Sequence, residues 1–203
     1  MSIEYIIESV EENVPNVTDK TYERALTRGM RRFFKDTEVW RFLSDPIPVG
    51  GCTAEYEMFI PRGCSVVRFA HVYYDGSEIF SASHAELIDS DCCVKYDRRA
   101  DKLFLFPEQK SATGKFVRID AVLQPKLMFD ELPQEIEYYT DKYADAIVAA
   151  TCASLLKMPN KNWTNNNAAG IYETQYLQDA EAARLEGKGF DESRILVARP
   201  DYY

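Results

Sequence analysis

Residues 133–156 read PQEIEYYTDKYADAIVAATCASLL, a long run with helical spacing. Proline suits a first helical turn, where its missing N–H would have no partner anyway. Ile136, Tyr139, Tyr143, Ala146, Ile147, Ala150, Ala153 and Leu156 then recur at helical spacing, which predicts one helix of about six turns. Its second half, from Ala144 to Ala153, is rich in alanine, and small residues let another helix approach closely. Met158-Pro159-Asn160 stops the run.

Beyond it lies a polar loop, 161–167, that contains Trp163. A last helix is predicted from about Asn166 to Glu186, with Ile171, Tyr172, Tyr176, Leu177, Ala180 and Ala183 on its buried face. Gly187 and Gly189 are expected to end it. Phe190 to Tyr203 has no core pattern and reads as an extended tail.

The chain also begins with helices. Ile3, Ile6, Ile7 and Val10 recur at helical spacing, and Pro15 closes that run. Thr18 or Asp19 can cap a second helix, whose apolar stripe is Tyr22, Ala25, Leu26, Gly29, Met30 and Phe33 and which should stop near Lys35–Asp36.

Between the helical ends the periodicity changes to two. Tyr56, Met58 and Ile60 alternate with Glu55, Glu57 and Phe59. Val66 to Tyr74 is a strand, and Tyr74-Asp75-Gly76-Ser77 carries a hairpin signal. Cys92 to Tyr96, Lys102 to Phe106 (ending at Pro107) and Lys115 to Leu123 read as further strands, while Ser83 to Asp91 stays ambiguous. The expected fold is therefore α+β: a bundle of N- and C-terminal helices with an inserted antiparallel β lobe. The corresponding boundaries are 1–36, 37–128, 129–187 and 188–203.

Of the 203 residues, 46% are hydrophobic and 28% charged, enough for a packed core. The net charge of −9 argues against a chain whose main task is neutralising nucleic-acid phosphates, although a local basic patch is compatible with it. Five cysteines, an odd number with no CxxC spacing, fit a reducing compartment with thiols packed as small hydrophobes. No run approaches the roughly 20 apolar residues of a membrane span, and no secretory signal is expected, since Glu4 and Glu8 interrupt the first segment.

Chemistry is sparse. The phosphate-binding, zinc-protease and nucleophile-elbow motifs do not occur. His84 with Cys92 and Cys93 is the one constellation that suggests a Cys/His hydrolase or a zinc site. Against it, adjacent strand residues point to opposite faces, so the two thiols would not converge. His71 lies within a predicted strand, alternating with tyrosines, as a sheet residue does. No catalytic residue, cofactor or metal is expected.

The outer face of the second helix carries Lys20, Arg24, Arg28, Arg31, Arg32 and Lys35. Three readings stay open: a solvated face, a nucleic-acid-binding module using helix 20–35, and a surface that meets an acidic face of a neighbouring copy. Glu173, Asp179, Glu181 and Glu186 on the last helix would supply that acidic partner.

Several segments together resemble the head–tail adaptor (connector) proteins of tailed bacteriophages, including the tubular tail protein A type of short-tailed phages. They are Val122-Leu123-Gln124-Pro125, Glu131-Leu132-Pro133, the small-residue run from Tyr143 to Ala150, Leu155-Leu156-Lys157-Met158-Pro159, Asn162-Trp163-Thr164-Asn165, and Tyr172 with Ala180-Glu181-Ala182-Ala183-Arg184. The N-terminal Phe33-Phe34-Lys35-Asp36-Thr37-Glu38-Val39-Trp40 is similar to the same group, as is Pro61 to Val67 followed by a Tyr-Asp-Gly hairpin. The likeness is one of layout and scattered residues, from about Tyr22 to Arg184.

The resemblance implies a virion structural protein of the tail or neck, assembled in the host cytoplasm. It implies a homo-oligomeric ring, a dodecamer, docked between the portal protein and the tail nozzle or tail tube. DNA would pass through the ring without sequence recognition, and no membrane would be involved. It also implies that the C-terminal segment reaches the portal, here through Phe190, Ile195, Leu196, Val197, Tyr202 and Tyr203. The run Arg194-Ile195-Leu196-Val197-Ala198 would add a strand to a partner's sheet edge.

Overall fold

The computed structural model describes residues 2–50, 53–81, 93–97, 102–109, 114–126 and 134–197. The chain divides into two compact units: Met1–Trp40 with Gln124–Tyr203, and Arg41–Leu123. Helices occupy both ends of the sequence and strands the middle, so the fold is α+β.

The first unit holds α1 (Ser2–Asn13), α2 (Asp19–Thr37), α3 (Gln134–Lys142), α4 (Ala144–Leu156) and α5 (Asn166–Val197). Every residue of α4 from Ala146 to Ala153 is buried. A helix apolar on all sides has to be surrounded, and α1, α2, α3 and α5 all pack on it. The approach of α2 is tightest at Gly29, where a Cβ would stand 2.5 Å from Thr151 Oγ1 and 3.3 Å from the Thr151 amide nitrogen. Thr151 is pinned, because its hydroxyl donates to the Ile147 carbonyl at 2.8 Å. Buried Tyr22 ties α2 to α1 by donating to the Ile7 carbonyl at 2.8 Å.

Aromatic rings hold the end of α2. Phe34 lies 5.5 Å from Phe33, 5.4 Å from Trp40 and 6.0 Å from Tyr139. Such pairs contribute about 0.5–1.5 kcal/mol each beyond their burial. Glu38 adopts a left-handed conformation (φ 57°) and its N–H bonds the Phe34 carbonyl, which ends α2 and turns the chain. Val39 and Trp40 therefore belong to the helical unit rather than to the β lobe that residue 37 was expected to open.

The single helix expected over residues 136–156 is interrupted at Tyr143, whose backbone leaves the helical region (φ −118°, ψ 28°). Its ring sits 5.2 Å from Phe33 and its hydroxyl donates to Glu186 at 3.1 Å. Tertiary contacts thus hold the residue at the joint, before the run buried on all sides. The glycines expected to end the last helix do not: α5 continues through both to Val197. A glycine stop requires a left-handed residue, and both are helical here, with Gly187 lying against Val39. Phe190 to Val197 are therefore helical and not an extended tail, and residues 198–203 lie outside the described residues.

The second unit is built on β1 (Arg41–Leu43), β2 (Ile47–Val49), β3 (Thr53–Glu57), β4 (Cys64–Tyr74), β5 (Ser77–Ser81), β6 (Cys93–Asp97), β7 (Lys102–Gln109) and β8 (Lys115–Pro125). The strand order is β1-β8-β4-β5-β6-β7-β3, and β2 also pairs with β8. The β4–β5 hairpin turns at Asp75 (φ 51°) and Gly76 (φ 82°), two successive left-handed residues whose twist matches that of the strands. The expected antiparallel lobe also holds a parallel pairing: β5 and β6 run parallel, and residues 82–92 between them lie outside the described set. β7 also runs through Pro107 instead of stopping there. On β8, Val117, Ile119 and Ala121 to Leu123 are buried, and Asp120 receives a two-point bond from Arg41 at 3.0 and 2.7 Å.

Replacing Gly29 by alanine sets a helix-propensity gain of about 1 kcal/mol against an overpacking cost of about 1–3 kcal/mol. Thr151 can retreat only by dismantling its bond to Ile147, which puts the cost at the upper end, so Gly29→Ala should lower unfolding stability by up to about 2 kcal/mol in urea titration. Adding Thr151→Ala should recover part of that loss. A Gly29→Ala chain as stable as the parent would show that α2 and α4 separate without cost.

Candidate functional site

The basic stripe of α2 divides into residues the chain consumes and residues it leaves over. Arg32 belongs to the first group. Its Nη1 donates to Glu173 Oε2 at 3.1 Å and its Nη2 to Glu173 Oε1, a two-point grip that matches the planar guanidinium. The guanidinium also lies 4.2 Å from the centroid of the Tyr176 ring. Tyr176 in turn donates its hydroxyl to Asp36 at 2.7 Å, and Asp36 is 3.5 Å from Arg32 Nε. Lys157 Nζ approaches Glu173 from α4's end at 2.7 Å. The hydrogen bonds from Arg32, then those from Lys157, hold the Glu173 carboxyl down at about 2. Arg31 is consumed too, by the carbonyl of Pro125, and burial lowers its pKa.

This places Arg32 and Glu173, expected to meet across a boundary between copies, in contact within one chain. The reason is packing: α2 and α5 both lie on α4, and that brings the two side chains together. Glu186 is likewise taken up internally by Lys142 and Tyr143, and Glu181 stands 3.7 Å from Arg184 on its own helix.

Arg24 and Arg28 are the remainder. Both are exposed, one turn apart, and neither has an ion pair or hydrogen bond among the described residues. Lys20 and Lys35 are exposed on the same helix. On the acidic side Asp179 is left over, half-buried, with burial first and then the nearby Asp145 carboxylate raising its pKa. Asp145 receives only a long contact from Tyr5 Oη, at 3.5 Å.

Asp145 lies in a groove of about 340 Å³ between α1, α4 and α5, lined by Tyr5, Ser9, Val148 and Tyr172 among others. A second hollow of about 320 Å³ adjoins it and shares Tyr5 and Asp145 with Asp141 and Lys142. Tyr172 closes one wall by donating to Asn13 at 2.7 Å. The sequence reading missed Asp145 and Tyr5. A signal was present: Asp145 is the one carboxylate in a helix otherwise composed of apolar and small residues, so it has to sit where that helix meets solvent.

The other candidates are dispersed. His71 sits on β4, 2.7 Å from Glu78 across the hairpin. His84 and Cys92 lie outside the described residues, and Cys93 opens β6. Cys64 and Cys152 are buried and neither forms a disulfide among the described residues, and burial pushes the Cys152 thiol up to about 12, away from the reactive thiolate. Among the described residues no three His, Cys, Asp or Glu are grouped to hold a metal, and no helix is long and apolar enough to cross a membrane. Phe190, Ile195, Leu196 and Val197 fall on the last turns of α5. The backbone N–H and C=O groups of that segment are engaged within a helix, which corrects the expectation that it adds a strand to a partner's sheet. Tyr202 and Tyr203 lie outside the described residues.

No protein-family model matches the chain, and no curated protein matches its sequence.

Glu173→Gln keeps the shape of the side chain and removes its charge. Discounted for the partial exposure of Arg32, the loss should be about 1–2 kcal/mol at neutral pH. The folded carboxyl titrates below its ordinary value of 4.5, so its contribution is present above that value and fades as the pH falls toward about 2. Urea unfolding of parent and variant should therefore converge across that window. A gap that persists to the acid end would assign the loss to packing.

Proposed function

We propose that this chain is a non-enzymatic virion protein, a head–tail adaptor subunit that joins a capsid portal to a tail. The sequence layout resembles such adaptors over most of the chain. The observation that carries the reading furthest is the division of charge on the helical unit. Internal pairs satisfy Arg31, Arg32, Glu173 and Glu186, while Arg24 and Arg28 on α2, Asp145 in the groove and Asp179 near it form no ion pair among the described residues. A subunit that meets neighbours on two different surfaces needs two such leftovers. In this reading the ring is a dodecamer, the end of α5 up to Val197 faces the portal as a helix, Tyr202 and Tyr203 also contact the portal, and DNA passes without sequence recognition.

The narrowed basic stripe also bears on the nucleic-acid alternative. Arg31 and Arg32 are committed inside the chain, so a groove-binding helix would have to rely on Lys20, Arg24, Arg28 and Lys35 in a molecule of net charge −9.

Co-expression of the chain with the portal protein of its own particle tests the proposal. The expected product is one symmetric complex with many copies of the chain on one portal ring, seen by native mass measurement and particle imaging. Failure to associate with any capsid component, or turnover of a substrate by the purified chain, would end the adaptor reading.

A further inference from the structure

We propose that the groove lined by Tyr5 and Asp145, with Asp179 near Asp145, is a socket for Arg24 and Arg28 of a second copy of this chain, joining copies head to tail. This rests on the adaptor reading and names the contact that builds its ring.

The socket has the chemistry that recognises a guanidinium. Asp145 lines the groove, and burial first and then the nearby Asp145 charge disfavour the charged form of Asp179, which a cation beside the two would relieve. Asp141 adds a third carboxylate at the rim, and the Lys142 ammonium beside it is already held by Glu186. Tyr5, about half exposed, supplies an aromatic face on the same wall. The chain itself shows the combination at work: Arg32 binds a carboxylate with its planar edge and a tyrosine ring with its face.

The occupant follows from what the chain leaves over. Arg24 and Arg28 project from one exposed face, one helical turn and about 6 Å apart along the axis. Among the described residues neither bonds to the socket of its own chain. Thr151, the residue that meets α2 at Gly29, lies about 120° around α4 from Asp145 at 3.6 residues per turn. The basic face of α2 looks away from α4, so the two surfaces lie on different sides of the bundle. Surfaces on different sides of the bundle suit head-to-tail pairing, in which each contact leaves one basic face and one socket free for the next copy.

The test is a mixing experiment read by sedimentation velocity from micromolar to millimolar concentration. The parent chain should form species larger than a dimer. Arg24→Ala/Arg28→Ala and Asp145→Asn/Asp179→Asn should each be monomeric alone, at least tenfold weaker in self-association. Mixed one to one, they should pair through the single intact combination and stop at a dimer. Raising salt from about 0.05 M to about 0.5 M should weaken the pairing at least tenfold, as for an exposed charge contact.

Arg28→Ala and Asp145→Asn, both at exposed positions, repeat the mixing test singly and guard against a folding defect in the double variants. A parent chain that stays monomeric throughout, or a mixture that stays monomeric while both variants melt like the parent, overturns the socket. Oligomers of unchanged mass from both neutralised variants overturn it as well, and leave the adaptor reading standing. Head-to-tail oligomers that never bind a portal would keep the socket and remove the adaptor reading.

Discussion

A helix that is apolar around its whole circumference must be covered around its whole circumference, and α4 imposes that demand on the rest of the helical unit. From Ala146 to Ala153 no side chain reaches solvent freely. Alanine leaves little volume, so the covering helices have to come close, and Gly29 lets α2 do so against Thr151. The cover comes from both ends of the chain: α1 and α2 precede the β unit in sequence, and α5 follows α4. The middle of the sequence is thereby left as an excursion that folds as its own sheet.

The same packing sorts the charges. α2 and α5 flank α4 closely enough for Arg32 to reach Glu173 and Tyr176, and for Lys157 to join them. Pairs of this kind, partly exposed, contribute modestly to stability, but they remove two strong charges from the outer surface. Lys142 and Glu186 do the same where α3 faces α5. The surface that results differs from a helical wheel of the sequence. On α2 the basic stripe shortens, on α5 the acidic stripe nearly disappears, and an acidic hollow opens where α1, α4 and α5 meet.

Local patterns foretold much of this architecture. The spacing of Tyr22, Ala25, Leu26, Met30 and Phe33 marked the buried side of α2, and all five are buried. Asp75-Gly76 marked a hairpin, since both residues tolerate the left-handed conformation the turn requires. The end of α5 was not legible, because a glycine permits a stop without enforcing one and the helix continues past Gly187 beside Val39. The break at Tyr143 was equally hidden: no proline or glycine marks it, and the contacts that hold the residue come from Phe33 and Glu186, distant in sequence.

Periodicity and composition, read within a few turns, were enough to place helices at both ends of the chain and strands between them, though not every boundary. Only the tertiary structure decided which charges are spent and which remain. Arg24, Arg28, Arg31 and Arg32 share one stripe in the sequence, yet two are satisfied inside the chain and two face outward. That difference is one of distance across the bundle, set by how closely alanine, glycine and threonine let the helices approach, and no local pattern encodes it.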